Sequence, residues 1–323
     1  MQRLTSRARR RLDGERGATA VVFALLLVPM LGFAAIAVDI GALYAERARL
    51  QVAADAAAIA VAQDCSRGNC GDMQATAQHL ISLNDPTGTA GQPVLSSDPL
   101  SVTVTGGAPK EHWFAPVIGH DRSQVSATAT VGWGAPSQGT AVLPLTFSWC
   151  SFAAQTGGGL PSTETEQTIM FSKSDDVGGC TGPSGNFVPG GFGWVVPDEG
   201  RCHATSAIGQ NLTSDPGVAL PSGCTQADLD GWLDQTILLP LFDDFGDGGS
   251  NGWYRVYGYA AFTLTGYAVN GSIKSGNKVC GPGTNSSDRC VTGYYTRFVE
   301  LSDAWNYSPN APQTGASILR LIR

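Results

Sequence analysis

The stretch Ala18–Val38 (ATAVVFALLLVPMLGFAAIAV) holds 21 consecutive residues without a charge. As a helix rising about 1.5 Å per residue it is roughly 31 Å long, which matches a bilayer hydrocarbon core of about 30 Å. A buried helix of a soluble domain rarely runs so far without one charge, so the stretch predicts a membrane span, with Pro29 tolerated where neighbouring groups satisfy the freed carbonyl. Ala35-Ile36-Ala37 has the small-x-small form of a signal-peptide cleavage site, yet the apolar run exceeds the roughly 7–15 residues of a signal h-region. A retained anchor is therefore expected. Six of the 20 basic residues (Arg3, Arg7, Arg9, Arg10, Arg11 and Arg16) precede the run, beside only Asp13 and Glu15. That places residues 1–17 in the cytoplasm by the positive-inside rule. The remainder is acidic, a poor electrostatic partner for nucleic acid.

Beyond Asp39 the helical period continues. Leu43, Leu50, Ala54, Ala57 and Val61 recur on one narrow stripe, with Glu46, Arg47, Arg49 and Asp55 read as lying off it. Residues 39–64 are expected as an amphipathic extension of the span at 18–38. A mostly alanine stripe permits close backbone approach, either to this chain's own body or to another molecule.

The segments Arg16-Gly17-Ala18-Thr19-Ala20-Val21, Val38-Asp39-Ile40-Gly41 and Leu50-Gln51-Val52-Ala53-Ala54-Asp55-Ala56-Ala57-Ala58 together resemble the N-terminal segment of TadG-like (TadE/G-like) proteins of bacterial Flp, or tight-adherence, pilus-assembly systems. The resemblance covers about the first 65 residues and implies a bacterial envelope protein working with a pilus or secretion machine. In pilin-like relatives a prepilin peptidase cuts after a Gly, and a Glu five residues on assists docking in the fibre. Matched on Gly17, that fifth residue is Val22. The resemblance therefore implies an anchored accessory component rather than a fibre subunit, with Gly17 as the possible processing position. The Asp-x-Ser-x-Ser metal motif that some relatives carry is not in the sequence.

The remaining chain reads as strands and turns, as 41 Gly and 18 Pro with 15% charged residues would favour. Residues 72–84 are expected as a helix, Leu100–Thr105 and Ser123–Trp133 as strands, and Trp113–Ile118 as a compact apolar piece. After the Gly/Pro/Ser stretch Gly134–Gly139 a β-rich domain is expected. Its strand candidates are Val142–Trp149, Gln167–Ser172, Trp253–Tyr259, Ala261–Ala268 and Tyr294–Leu301, with a short helix at Gln226–Thr236. The aromatics of Trp253–Ala268 read as core rather than as a carbohydrate-binding face. Pro240–Ala268 and Gly293–Val299 also resemble, less specifically, regions attached to TadE/TadG-like anchors.

All eight cysteines, Cys65, Cys70, Cys150, Cys180, Cys202, Cys224, Cys280 and Cys290, follow the anchor, consistent with an oxidising compartment. Eight cysteines allow 105 pairings. Proximity suggests 65 with 70, 150 with 180, 202 with 224 and 280 with 290. No paired-ligand spacing of Cys or His points to zinc. The sequence lacks a P-loop, a dinucleotide fingerprint, a nucleophile elbow and HExxH, so no enzyme and no cofactor is expected. The loop Phe242–Gly249 reads as a solvated turn, with Asp243, Asp244 and Asp247 as a weak calcium set.

The expected architecture is α+β. A cytoplasmic tail (1–17), a transmembrane helix (18–38) and a helical extension (39–64) precede a small α+β region (65–135) and a β-rich, disulfide-containing extracytoplasmic domain (140–323). The expected partners are the lipid bilayer and other pilus-assembly or envelope proteins. The alternative function is an anchored binding module or adhesin for a glycan or calcium, independent of pili.

Overall fold

The computed structural model describes residues 3–162, 164–171, 179–217, 219–246, 251–277, 279–281 and 289–322, with side chains from residue 19 onward except that of residue 301. The chain divides into two compact units. The first comprises Met1–Ala58, Asp72–Val94 and Thr103–Ala129, and the second Ile59–Gly71, Leu95–Val102 and Thr130–Arg323.

Helix α1 (Arg3–Ser66) is continuous, and Pro29 lies within it without ending it. Helix α2 (Met73–Asn84) begins where the Asp72 carboxylate accepts the Ala75 N–H at 3.0 Å, an N-cap that satisfies an otherwise orphan donor. Strands β1 (Thr89–Ala90), β2 (Val94–Ser97), β3 (Leu100–Glu111) and β4 (Arg122–Ala141) follow. In the first unit β1 lies beside β3, and alternate residues of β3 and β4 turn toward the helices. Leu50 of α1 packs on Ala108 and Ala127. Ile81 of α2 sits over Gly88 and Gly106, where any Cβ would come within 2.7 and 3.1 Å of it.

The second unit adds β5 (Leu145–Ser148), α3 (Trp149–Thr156), β6 (Gln167–Met170), β7 (Phe192–Trp194), β8 (Ala204–Ala207), β9 (Asn211–Thr213), α4 (Gln226–Asp230), β10 (Thr236–Gly246), β11 (Trp253–Ala268), β12 (Cys290–Thr296), β13 (Phe298–Leu301), β14 (Asn306–Ser308) and β15 (Ala316–Ile322). One sheet runs β6-β12-β11-β10-β5-β7, with β9 also along β11. Residues 130–141 of β4 pair with β15, β14 and β8.

The central strands β10 and β11 are buried on both faces. Leu239, Leu241, Phe262 and Leu264 enter one core with Phe147, Phe152, Trp194 and Tyr295, while Leu238, Tyr259 and Ala261 enter the other with Trp305 and Ile318. Burial on both faces explains why these strands read as near-continuous apolar runs. The Tyr259 hydroxyl donates to the Ser206 carbonyl at 2.6 Å, and burial pushes its pKa up to about 12. Tyr259, Phe262 and Tyr267 are fully buried, so the aromatic run serves mainly as core.

Several local expectations change. Gly134–Gly139 lies inside β4 rather than in a boundary loop, because Ala135, Pro136 and Gln138 pair with β14 across a register shift that accommodates the missing proline N–H. Trp253–Ala268 is one strand rather than two. Trp149 starts α3 rather than ending a strand, since the Ser148 hydroxyl accepts the Cys150 N–H and caps the helix. The helix expected to Thr236 stops at Asp230, and Thr236 opens β10 opposite Thr263. Ser172, the last residue of the strand expected at 167–172, lies outside the described residues.

Candidate functional site

Most of the apolar part of α1 is exposed among the described residues. Val28, Met30, Leu31, Phe33 and Ile36 are all exposed, as befits a helix long and apolar enough to cross a membrane. The buried face of α1 begins at Asp39 and continues through Glu46, Leu50, Ala53, Ala54, Ala57, Ala58, Val61 and Ala62. It is wider than the expected stripe, on which Leu43 is only partly buried. Glu46, expected off the stripe, lies on it. Its carboxylate pairs with Lys110 Nζ at 2.9 Å and with Arg49 at 3.7 Å, so the buried charge is neutralised from β3 and from one helical turn on.

Asp39 is the corresponding polar residue at the end of the span. It accepts the backbone N–H groups of Trp113 at 2.8 Å, of Phe114 at 3.1 Å and of Ala115 at 2.7 Å. Three successive amides on one carboxylate hold the segment joining β3 to β4 against the helix, as an anion is held at the start of a helical turn. The segment is closed by the His112 N–H donating to the Asp121 carbonyl at 2.9 Å, and its tip is a 3₁₀ turn at Ala115–Ile118. Beside it a groove of about 680 Å³ is lined by Leu31, Gly32, Ala35 and Ile36 of α1 and by Phe114, Val117 and Ile118 of the tip. The expected compact apolar piece is thus a hairpin tip docked on α1. Sequence reading missed the roles of Asp39 and Glu46. The available signal was their spacing, since 39, 43, 46, 50 and 54 fall on one helical face.

A second groove, also about 680 Å³, lies within the other unit among the Cys65–Cys70 loop, Leu95, Trp133, Arg297 and Val299. Arg297 spans part of its wall, donating to the Pro161 carbonyl at 2.9 Å and to the Arg67 carbonyl at 3.3 Å.

Four disulfides join Cys65 to Cys70, Cys150 to Cys180, Cys202 to Cys224 and Cys280 to Cys290. Of the acidic set, Asp243 and Asp244 lie in β10 rather than in a solvated turn, because Phe242 is fully buried and Asp244 pairs in register with Arg255. Asp247 lies outside the described residues. The Arg255 guanidinium forks onto Asp243 at 3.1 and 3.0 Å and stands 3.8 Å from Asp244, and this contact raises the Arg255 pKa further. The carboxylates of Asp243 and Asp244 are thereby engaged by a resident cation. Gly17 lies within the helical course of α1.

Neither the curated proteins nor the solved structures hold a match to the chain. Residues 17–64 match the family model described as "Putative Flp pilus-assembly TadE/G-like", so the part of the chain that carries this family's signature is helix α1, from the start of the apolar span to the end of the alanine-rich buried face.

Proposed function

We propose that this chain is a membrane-anchored accessory component of a bacterial Flp-type pilus-assembly or secretion apparatus, acting through protein–protein contacts rather than as an enzyme. The basic tail lies in the cytoplasm and the disulfide-bonded body outside the membrane. The observation that carries this reading is the family match over residues 17–64 on a helix whose apolar half is largely exposed and whose alanine-rich half is covered by this chain's own residues. At Leu50 that face is already covered by Ala108 and Ala127 of its own unit. It is less suited to packing into a fibre, which fits the absence of Glu at position 22, where Val stands.

Deletion of the gene tests the reading. Loss of surface pili and of adhesion, restored by the full-length chain, is the expected result. Unchanged piliation and adhesion would overturn it.

A further inference from the structure

Four residues of the tip joining β3 to β4 face solvent: Trp113 is 72% exposed, Phe114 48%, Val117 90% and Ile118 73%. A hairpin tip gains nothing from apolar side chains in water, and their position on the helix suggests what covers them. The groove they share with α1 is floored by Leu31, Gly32, Ala35 and Ile36, all inside the uncharged stretch 18–38. Leu31 lies eight residues before Asp39, roughly 12 Å along a helix. Among the described residues a Cβ built on Gly32 would meet nothing within 4 Å, so the floor is open at that position. If α1 spans a bilayer, the Leu31–Ile36 end of this groove lies at hydrocarbon depth, and its other end, at Asp39, Leu43, His112 and His120, lies toward the interface.

Entry into lipid also requires that backbone donors be satisfied from within. The N–H groups of Trp113, Phe114 and Ala115 go to Asp39, and Pro116 has none to satisfy. Val117 donates to the Phe114 carbonyl, Gly119 to Pro116 and His120 to Ala115. Polar residues, Glu111 and His112 on one side and His120, Asp121 and Arg122 on the other, flank the apolar tip, so the apolar run is bounded at both ends.

We propose that the Trp113–Ile118 tip dips into the bilayer leaflet on the side of α1 where Asp39 lies, a second and shallower membrane contact of the unit that carries α1. The occupant of the groove is lipid acyl chain. The inference rests on the reading that α1 spans the membrane, so the test separates the two.

Full-length protein is reconstituted into nanodiscs whose phospholipid acyl chains carry bromine at shallow or deep positions. The Trp113 signal is taken as the difference between the wild type and Trp113→Phe. The expected result is a blue-shifted Trp113 component quenched most by shallow bromines, with quenching lost in Val117→Asp/Ile118→Asp, whose two exposed sites leave the packing of the body unchanged. Alkaline carbonate extraction of the same protein from native membranes reports the anchor. Retention with an unquenched Trp113 overturns the tip proposal alone, whereas extraction overturns the anchor and the tip with it. Quenching that disappears when two copies share a disc assigns the groove to a second copy and overturns the lipid assignment.

Discussion

Replacement of Leu50 by alanine tests whether the helical extension is covered by its own chain. Leu50 is fully buried, and its neighbours are Ala108, Ala127 and Val125 with Gly106 beside them. Losing three carbons forfeits about 2.4 kcal/mol of transfer free energy at about 0.8 per carbon. The surrounding residues are small and held in a sheet, so they cannot swing in to fill the space, and a cavity term raises the cost to about 3–4 kcal/mol. Hydrogen exchange of the protein in nanodiscs measures this directly. Where exchange of β3 and β4 amides proceeds through opening of this unit, it should accelerate on the order of 100- to 700-fold, at about 1.4 kcal/mol per tenfold. Val52→Ala, at a 60% exposed position two residues on and on the opposite side of the helix, should leave it nearly unchanged. Unaltered exchange in Leu50→Ala would refute the packing and return the alanine-rich face to a partner molecule.

Three further outcomes follow from the second unit. Replacing Cys150 and Cys180 by serine opens a loop of separation 30 and should destabilise by about 3–4 kcal/mol, against about 2 for the Cys65–Cys70 loop of separation 5, an ordering that denaturant titration would check. Gly139→Ala places a methyl 2.2 Å from the buried Trp305 ring and should cost about 1–3 kcal/mol with a changed near-ultraviolet dichroism; an unchanged melt would refute the contact. The side-chain and backbone hydrogen bonds from Thr225 hold the Asp228 carboxyl below its ordinary value of 3.8. A depressed carboxyl contributes stability that is full above its unfolded pKa and is lost as pH falls through the folded one, so Asp228→Asn should lack that acid-side decrement in a pH titration of stability.

What could be read from the sequence depended on how far apart the interacting residues lie. The span, the helix expected at 72–84 and the short-range cysteine spacings are local patterns, carried by contiguous residues or nearest neighbours. β10 was harder to recognise. Pro240 inside it argues against a central strand, yet Pro240 sits directly opposite Tyr259 while its carbonyl accepts the Thr146 hydroxyl at 2.9 Å. β15 (ASILRLI) lacks alternation because both its faces are largely covered, so nothing in its period distinguishes it from a helical turn. The roles of Asp39 and Glu46 were invisible for a different reason. Their partners, Trp113 to Ala115 and Lys110, lie 64 to 76 residues away, and a carboxylate just past a membrane span reads as solvated until the chain that covers it is placed.

One membrane crossing, with the body on the far side from the basic tail, can be checked by protease accessibility in right-side-out spheroplasts and in inverted vesicles. Protease is expected to remove the disulfide-bonded body in spheroplasts and to leave a membrane-embedded fragment bearing the intact tail, while inverted vesicles lose the tail and protect the body. A body digested only in inverted vesicles would contradict the orientation, and one released intact without proteolysis would contradict the anchor.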